Sequence, residues 1–277
     1  KNEERFEIIN NLLGLVALAT AADVMPLLGP NRSFVKYGLR VLNEQPCLGM
    51  KALMDVAGVK EGEAGTYELG WVLGPRINAA GRLGSAIDAV RLLCARNSQR
   101  ACKLAIKLDK LNRERQDKTN FMVELAQENV KSMREEHQFL IVSHEKFHEG
   151  IIGLIAGKLT REFYLPTVAI SEGKEISKGS ARSVSGFNIV EILREFEDLL
   201  ESVGGHPMAA GFTIRTERIE EFREQLLESA RQKLEEKELK PILPVDIEIP
   251  LDAVSWGLWE IVEKFEPYGD ANPRALF

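Results

Sequence analysis

The sequence predicts an α/β protein in which one long helix joins two domains. Strand-like and helix-like segments alternate after residue 137, and this alternation is typical of α/β folds. No proline or glycine occurs from Ser98 to Glu136, so a single helix can cover that whole range. The 277 residues exceed one average domain, and a hydrophobic content of 44% suffices for a sizeable core.

The first part of the chain reads as helical. An apolar-rich segment from Phe6 to Ala19 predicts a buried helix, and Asn31 to Leu42 predicts a second one. Asp23 lies in the apolar run between them, where a buried carboxylate must be paired, hydrogen-bonded or bound to a metal. A cap or turn role explains Asp23 equally well.

A second unusual run extends from Leu73 to Gly84. Arg76, Asn78 and Arg82 are spaced there among Gly, Pro and Ala residues. Small neighbours leave a guanidinium uncovered, and its fork can bind a phosphate through two hydrogen bonds. The run is therefore either an anion-binding loop or a connector whose arginines pair with surface carboxylates.

The second half of the chain alternates between strands and helices. The predicted strands are Phe139–Ser143, Pro166–Ser171, Ile176–Ser183 and Phe212–Ile214, and the predicted helices are Ile151–Phe163, Phe187–Leu200 and Glu217–Lys240. In the third strand, Ser180 and Arg182 share a face if the backbone is extended. A hydroxyl beside a guanidinium suits a phosphate, although an ordinary edge strand has the same pattern.

Gly204–Gly211 predicts a turn that combines two adjacent glycines with a histidine. Gly204 and Gly205 can adopt angles closed to other residues and let a ligand approach bare backbone. His206 adds a titratable imidazole, so the turn can serve an anionic group, or it can be a tight turn with a capping histidine. His148 precedes a predicted helix, where substrate contact and a structural cap are both open.

The C-terminal part follows a Pro-Ile-Leu-Pro break at residues 241–244. Val245–Ile249 predicts a strand and Leu258–Phe265 a helix, but this tail is too short for a domain. The chain lacks an initial methionine and stops after a turn-like run, so we expect a piece of a longer protein.

Composition restricts the function classes. The net charge of −6 argues against broad non-specific nucleic-acid binding but leaves room for a local basic site. No apolar run is long enough for a transmembrane helix, and no signal peptide is visible. Cys47, Cys94 and Cys102 show no metal-binding spacing and predict buried thiols in a reducing cytoplasm.

Taken together, the motifs resemble the RecJ family of single-stranded-DNA exonucleases, within the DHH phosphoesterase superfamily. The matching runs are Leu18–Leu27, Leu73–Leu83, Asn112–Gln116, His148–Gly153, Lys178–Ser183, Gly204–Gly211 and the Pro-Tyr-Gly-Asp-Ala-Asn-Pro-Arg run at 267–274. None is specific alone, but their order and spacing span nearly the whole chain.

The resemblance implies an architecture. Residues 1–97 correspond to the C-terminal part of a DHH catalytic domain and residues 98–136 to a connecting helix. Residues 137–240 correspond to an α/β DHHA1 substrate-binding domain, and 241–277 to a linker and the truncated start of an OB-fold region.

The resemblance also implies two-metal hydrolysis of phosphodiesters with Mn²⁺ or Mg²⁺. Asp23 falls where the family has a metal-binding aspartate, and Asp23 and His206 are the expected catalytic residues. The chain contains neither the DHH triplet nor the DxD pair, and one aspartate cannot hold two ions. We therefore expect the parent protein to be a nuclease and the fragment alone to be inactive.

Substrate contacts follow from the same resemblance. Ser180 and Arg182 are expected to hold a phosphate near the 5′ end, and His206 with Gly204 and Gly205 to contact the scissile region. The remaining expected substrate-binding residues are Arg76, Asn78 and Arg82, which line the channel between the domains, and His148.

The family further implies 5′-to-3′ action on single-stranded DNA in repair and recombination. The expected protein is a cytoplasmic monomer that works with a helicase and a single-strand-binding protein and has no membrane partner. Two alternatives remain: a DHH/DHHA1 phosphoesterase acting on short oligonucleotides or cyclic dinucleotides, and a non-catalytic nucleic-acid-binding module.

Overall fold

The computed structural model describes residues 2–235 and 239–277. The chain divides into two compact units. Unit 1 comprises Lys1–Glu114 with Leu243–Phe277, and unit 2 comprises Arg115–Ile242. The domain boundaries predicted from the sequence stay predictions.

Unit 1 is helical in the part of the chain described. Its elements before residue 98 are α1 (Asn2–Ala22), α2 (Gly29–Glu44), α3 (Leu48–Ala57), a π-helix (Glu68–Leu73), α4 (Gly74–Leu83) and α5 (Ile87–Leu93). Proline stands in the first turn of both α2 and α4, where its missing N–H costs no helical hydrogen bond. The core of this unit contains buried side chains such as Leu42, Leu53 and Leu73.

Two expectations for unit 1 are wrong. The run around Arg76 and Arg82 is not a loop, because it forms α4 and the end of the π-helix before it. The alternating residues Val245–Ile249 form no strand, because no neighbouring strand pairs with them. The predicted C-terminal helix is present as α10 (Trp256–Glu263).

The proline- and glycine-free run forms one helix of 39 residues, α6 (Ser98–Glu136). Its buried positions recur at helical spacing, first at Ala101, Ala105 and Leu108 and later at Met122 and Ala126. This confirms the single long helix expected from the sequence.

Unit 2 contains a five-stranded sheet in the order β1-β2-β3-β5-β4. The strands are β1 (Leu140–His144), β2 (Thr167–Ser171), β3 (Ile176–Arg182), β4 (Leu200–His206) and β5 (Ala209–Arg215). β1 and β2 are parallel and are joined by α7 (Ile152–Phe163), whereas the other neighbours are antiparallel. The mixed α/β fold predicted from the sequence is confirmed.

One face of this sheet carries most of the core of unit 2. Phe212 and Ile214 of β5 pack there with α8 (Ile189–Arg194) and α9 (Ile219–Leu234). Phe222 of α9 is fully buried, and its ring lies 5.2 Å from that of Phe212. On the opposite face, α7 packs against β2 and β3, and strands β5 and β4 keep exposed residues.

The Gly204–Gly211 run is a β-hairpin, not a turn as a whole. Gly204, Gly205 and His206 end β4, and only Pro207 and Met208 form the connection to β5. The glycines and alanines of this run therefore lie in two short paired strand ends, because these small residues allow close cross-strand approach.

The cysteines differ from the expectation of buried thiols. Cys94 and Cys102 are exposed, Cys47 is partly buried, and all three are free. Among the described residues, no helix combines the length and apolar character required to cross a bilayer.

Candidate nucleic-acid interface

Strand register brings four predicted substrate residues of unit 2 onto one face of the sheet. Residues that pair directly across neighbouring strands point to the same side. Ser180 of β3 pairs with Gly211 of β5, which pairs with Gly204 of β4. In the next row, Arg182 pairs with Ala209, which pairs with His206.

The face of the sheet between these residues carries only small residues. Gly211 and Gly204 are exposed and Ala209 is partly exposed, so no bulky side chain stands between Arg182 and His206. We call these two rows, Ser180–Gly211–Gly204 and Arg182–Ala209–His206, the open face. Strands lie about 4.8 Å apart, so the rows span about 10 Å from β3 to β4.

Arg182 and Ser180 form a hydrogen-bonded pair at one side of the open face. The Nη1 of Arg182 donates to the Oγ of Ser180 at 3.1 Å and to the carbonyl of Ala181 at 2.8 Å. Because Ser180 and Arg182 lie two residues apart on an extended strand, their side chains share a face, as predicted from the sequence. The hydroxyl and guanidinium are thereby fixed side by side, as phosphate binding requires.

The first turn of α7 lies directly against this pair. A β-carbon added to Gly153 meets the Nη2 of Arg182 at 3.0 Å and the Oγ of Ser180 at 3.2 Å. Glycine at this position lets the N-terminal end of α7 approach both side chains. Helix N-termini carry partial positive charge, which favours anions. The guanidinium, the hydroxyl and the N-terminal end of α7 together thus favour an anionic group.

His148 shapes the loop that leads into α7. Its Nδ1 accepts a hydrogen bond from the amide of Gly150 at 3.1 Å, and its carbonyl accepts one from Ile151 at 2.8 Å. An accepting Nδ1 assigns the proton of the neutral ring to Nε2. The structure therefore shows a structural role for His148, while the exposed ring leaves its substrate role a prediction.

An ion pair that sequence reasoning missed joins this loop to β3. The Nζ of Lys178 lies 2.7 Å from the Oε2 of Glu149. The hydrogen bond and positive charge of Lys178, with a smaller contribution from His148, lower the pKa of Glu149 below its usual 4.5. Lys178 alternates with Ser180 and Arg182 along β3, and this spacing was the available signal.

His206 stands at the outer side of the open face. The imidazole is exposed, and no described residue is within hydrogen-bond distance of it. Gly205 precedes it with a φ of 150°, and a β-carbon there meets the carbonyl of Ala209 at 2.4 Å. A side chain at Gly204 meets nothing within 4 Å. Only Gly205, therefore, is required by the backbone.

Arg76 in unit 1 is held inside the protein. Its Nε lies 3.0 Å from the Oδ1 of Asp109, and its Nη1 donates to the carbonyl of Val72 at 2.7 Å. The other carboxylate oxygen of Asp109 lies 2.8 Å from the Nε of Arg113. Asp109 is buried, whereas the sequence suggested pairing with surface carboxylates. Asp109 itself was missed, because nothing in the sequence sets it apart from other helical carboxylates.

Asn78 and Arg82 lie further along α4. Asn78 is exposed, and Arg82 is partly exposed near the end of the helix. The structure thus separates the three residues of this run into one anchored side chain, Arg76, and two with solvent access.

Asp23 lies just after α1 and is exposed, so it is not the buried carboxylate that the apolar run suggested. The next residue, Val24, has a φ of 54°, which a β-branched residue rarely adopts. Gly74 packs against the end of α1, since a β-carbon on it meets that of Ala22 at 2.9 Å. The turn carrying Asp23 is therefore strained and lies next to the start of α4.

The described residues do not form a complete metal site. Among them, no group of three or more His, Cys, Asp or Glu side chains converges as metal coordination requires. Asp23 fits a single ligand of a hard divalent cation, which needs several oxygen or imidazole donors. The residues that the structure describes therefore do not fit a two-metal centre by themselves.

Comparison with known proteins places this geometry in a family context. Residues 136–234 match the DHHA1 domain. The single-stranded-DNA-specific exonuclease RecJ of Bacillus subtilis is 37% identical over 97% of this chain, which spans 34% of that protein.

Two solved structures are also similar. RecJ from Thermus thermophilus in complex with Mn²⁺ has a TM-score of 0.87 at 29% identity, covering 97% of this chain and 39% of that one. Its Mg²⁺ complex has a TM-score of 0.85 at 28% identity, covering 97% of this chain and 41% of that one. The chain spans about two fifths or less of the length of these relatives.

Proposed function

Since this chain is homologous to RecJ exonucleases along nearly its whole length and contains a DHHA1 domain, we propose that it is the substrate-holding part of a single-stranded-DNA exonuclease. The observation that carries the proposal is the open face of unit 2. Ser180, Arg182, Gly204 and His206 share it, and the N-terminal end of α7 lies against the first two.

Within this proposal, Ser180 and Arg182 bind the phosphate at the 5′ end of the strand. Their side chains are already hydrogen-bonded to each other, so little conformational entropy is lost when the anion arrives. His206 contacts the phosphodiester to be cleaved, supported by the bare backbone of Gly204 and Gly205. The span of about 10 Å between Arg182 and His206 leaves room for one nucleotide. His148 donates from Nε2 toward the same anion.

In unit 1, we assign direct substrate contact to Asn78 and Arg82, which have solvent access on α4. Arg76 keeps its predicted place in the substrate channel mainly as an anchor, because Asp109 and the carbonyl of Val72 already engage its guanidinium. The partly exposed guanidinium of Arg82 can bind phosphates without reading base identity, and this suits an enzyme that cleaves any sequence.

Asp23 is assigned to the binding of Mn²⁺ or Mg²⁺, the ions present in the two Thermus thermophilus structures. Strain in Val24 supports a functional role for this turn, because strained backbone is retained where function requires it. Two ions and a hydrolytic role for His206 belong to the proposed intact enzyme. The 277-residue chain alone should not cut DNA, since Asp23 is a single ligand.

The proposal extends to 5′-to-3′ polarity, to DNA repair and recombination, and to a cytoplasmic monomer working with a helicase and a single-strand-binding protein. Support for these finer statements is the homology with RecJ and, for the compartment, the free thiols.

The decisive experiment measures fluorescence anisotropy of labelled single-stranded oligonucleotides that carry either a 5′-phosphate or a 5′-hydroxyl. The chain should prefer the phosphate about tenfold or more, because hydrogen bonds to charged groups contribute about 1.5–3 kcal/mol. Arg182→Ala should remove the preference. Arg194→Ala removes the same charge from α8, on the opposite side of the sheet, and should retain it.

If the unmodified chain and Arg182→Ala bind the 5′-phosphate and 5′-hydroxyl oligonucleotides equally well, the open face does not bind the strand end. A separate assay addresses the ion site. Nucleotide release by the chain with Mn²⁺ that survives Asp23→Ala contradicts the assignment of Asp23.

A further inference from the structure

Unit 1 contains a cavity that none of the predicted site residues lines. Its volume is about 730 Å³, and it lies between α2, the segment before the π-helix, and the chain around residues 263–274. This volume is in the range of small-molecule sites. The Pro-Tyr-Gly-Asp-Ala-Asn-Pro-Arg run forms one wall, and the proposed function assigns no role to it.

Three cationic side chains that form no ion pair with a described residue line this cavity. Lys36, Arg40 and Lys264 form no ion pair or side-chain hydrogen bond with any described residue. Arg40 makes only a cation–π contact, with its guanidinium 5.9 Å from the ring centroid of Tyr37. Three such cations around one cavity suit an anionic ligand.

The carboxylates of the cavity are already engaged. Arg274 lies 3.8 Å from Glu263 and 3.5 Å from Glu266, and Glu68 accepts the amide of Gly65 at 2.8 Å. Burial, reinforced by the nearby charge of Glu263, raises the pKa of Glu266. Four cationic side chains and three carboxylates line the cavity, which leaves one positive charge in excess.

An aromatic ring is available beside these cations. Tyr67 lines the cavity with 65% of its surface exposed. The other lining tyrosine, Tyr268, donates its hydroxyl proton to the carbonyl of Val262 and carries Arg274 5.1 Å from its ring centroid. Tyr67 is thus the ring on which a planar group can stack, and base stacking on such rings tolerates any base.

The wall made by the C-terminal segment is held firmly in place. Arg32 donates to the carbonyl of Phe265 at 2.6 Å, and the amide of Leu27 donates to that of Asp270 at 2.7 Å. Asn272 closes the loop by donating to the carbonyl of Pro267 at 2.9 Å. A preorganised wall loses little entropy on binding.

We propose that this cavity binds a nucleoside phosphate, with the phosphate on Lys36, Arg40 and Lys264 and the base against Tyr67. The nucleoside phosphate is either a segment of single-stranded DNA or a free mononucleotide. The first source rests on the proposed function, while the second does not.

Isothermal titration with a 5′-hydroxyl oligothymidylate and with thymidine monophosphate tests the site and separates the two sources. The cavity variant is Lys36→Ala/Arg40→Ala, and Lys51→Ala/Lys103→Ala is its control of equal charge change at exposed positions. The cavity variant should bind about tenfold more weakly than the control, and the slope of log affinity against log salt should fall by about 1.4 for two lost phosphate contacts.

Tyr67→Leu should weaken oligothymidylate binding about fivefold or more, while binding of an abasic strand of equal length stays unchanged. Photocrosslinking with an iododeoxyuridine strand should label Tyr67 in the unmodified chain, which makes the test independent of how the variants fold.

A loss confined to oligothymidylate identifies the strand as the source, and a loss with thymidine monophosphate identifies the free nucleotide. Equal binding by the cavity variant and its control, with crosslinks elsewhere, overturns the inference. If the Arg182→Ala variant still loses its 5′-phosphate preference in that case, the proposed function stands. If only the cavity variant loses affinity, the inference about the cavity is supported and the proposed recognition of the strand end by the open face is wrong.

Discussion

The candidate arginines of the two units lie in different environments. In unit 2, Arg182 is partly exposed on a strand and donates to a hydroxyl and a carbonyl. In unit 1, Arg76 faces the buried carboxylate of Asp109, which offsets its charge. Similar spacing among small residues thus gave one side chain suited to a ligand and one suited to holding helices together.

The difference arises from the element that carries each arginine. On β3, alternation and register place every second residue on one face, and the neighbouring strand β5 supplies only Gly211 and Ala209 beside Ser180 and Arg182. On α4, the same kind of residue meets whichever helix packs nearby, in this case α6. In this protein, the small residues around an arginine therefore predict its accessibility correctly for Arg182 on the strand β3 but not for Arg76 on the helix α4.

The largest effect is expected from Asp109→Ala. It leaves the largely buried guanidinium of Arg76 with the carbonyl of Val72 but without its carboxylate, which should lower the free energy of unfolding by about 3–5 kcal/mol. Chemical denaturation measures the loss, and Asp55→Ala, at an exposed position, should stay within about 0.5 kcal/mol. Equal stability of both variants would mean that Arg76 is as available to ligands as Arg182.

Next in size is the contrast between adjacent glycines of the hairpin. Gly205→Ala forces a β-carbon to 2.4 Å from the Ala209 carbonyl and should cost about 1–3 kcal/mol. Gly204→Ala projects into open space and should change stability by less than about 0.5 kcal/mol. Thermal denaturation of both variants compares them. Similar losses of stability in the two variants would show that the hairpin requires glycine at both positions.

Gly153→Ala tests how closely α7 approaches the open face. The new methyl group displaces the ends of Arg182 and Ser180 but favours the helix, so unfolding should become no easier while binding of a 5′-phosphorylated strand weakens about tenfold. Gly157→Ala, whose β-carbon lies 4.0 Å from Arg182, is the matched control and should bind normally. Normal binding of the phosphorylated strand by Gly153→Ala would show that α7 is not part of the phosphate site.

The smallest effect concerns the exposed pair Glu149–Lys178. Because Lys178 lowers the pKa of Glu149, the stabilising contribution is present at neutral pH and is lost as the pH falls through the folded-state pKa, below 4.5. An NMR titration should show the pKa of Glu149 rising toward 4.5 in Lys178→Ala and staying low in Lys174→Ala. No rise in the Lys178 variant would assign the shift to another cause.

Sequence by itself determined the features that depend on local pattern. The absence of proline and glycine gave α6, strand–helix alternation gave the α/β unit, and period-two spacing put Ser180 and Arg182 on one face. The combined order of motifs also predicted the similarity to RecJ exonucleases. These succeed because helix and strand periods are properties of the backbone that a sequence displays directly.

Only the tertiary structure decided which residues meet across elements. It placed His206 in the row of Arg182, made α4 a helix, buried Asp109 against Arg76 and exposed Asp23. It also assembled the cavity from α2 and a segment more than two hundred residues later in the chain. Such contacts depend on strand order and helix packing, which join residues far apart in sequence and leave no periodic trace in it.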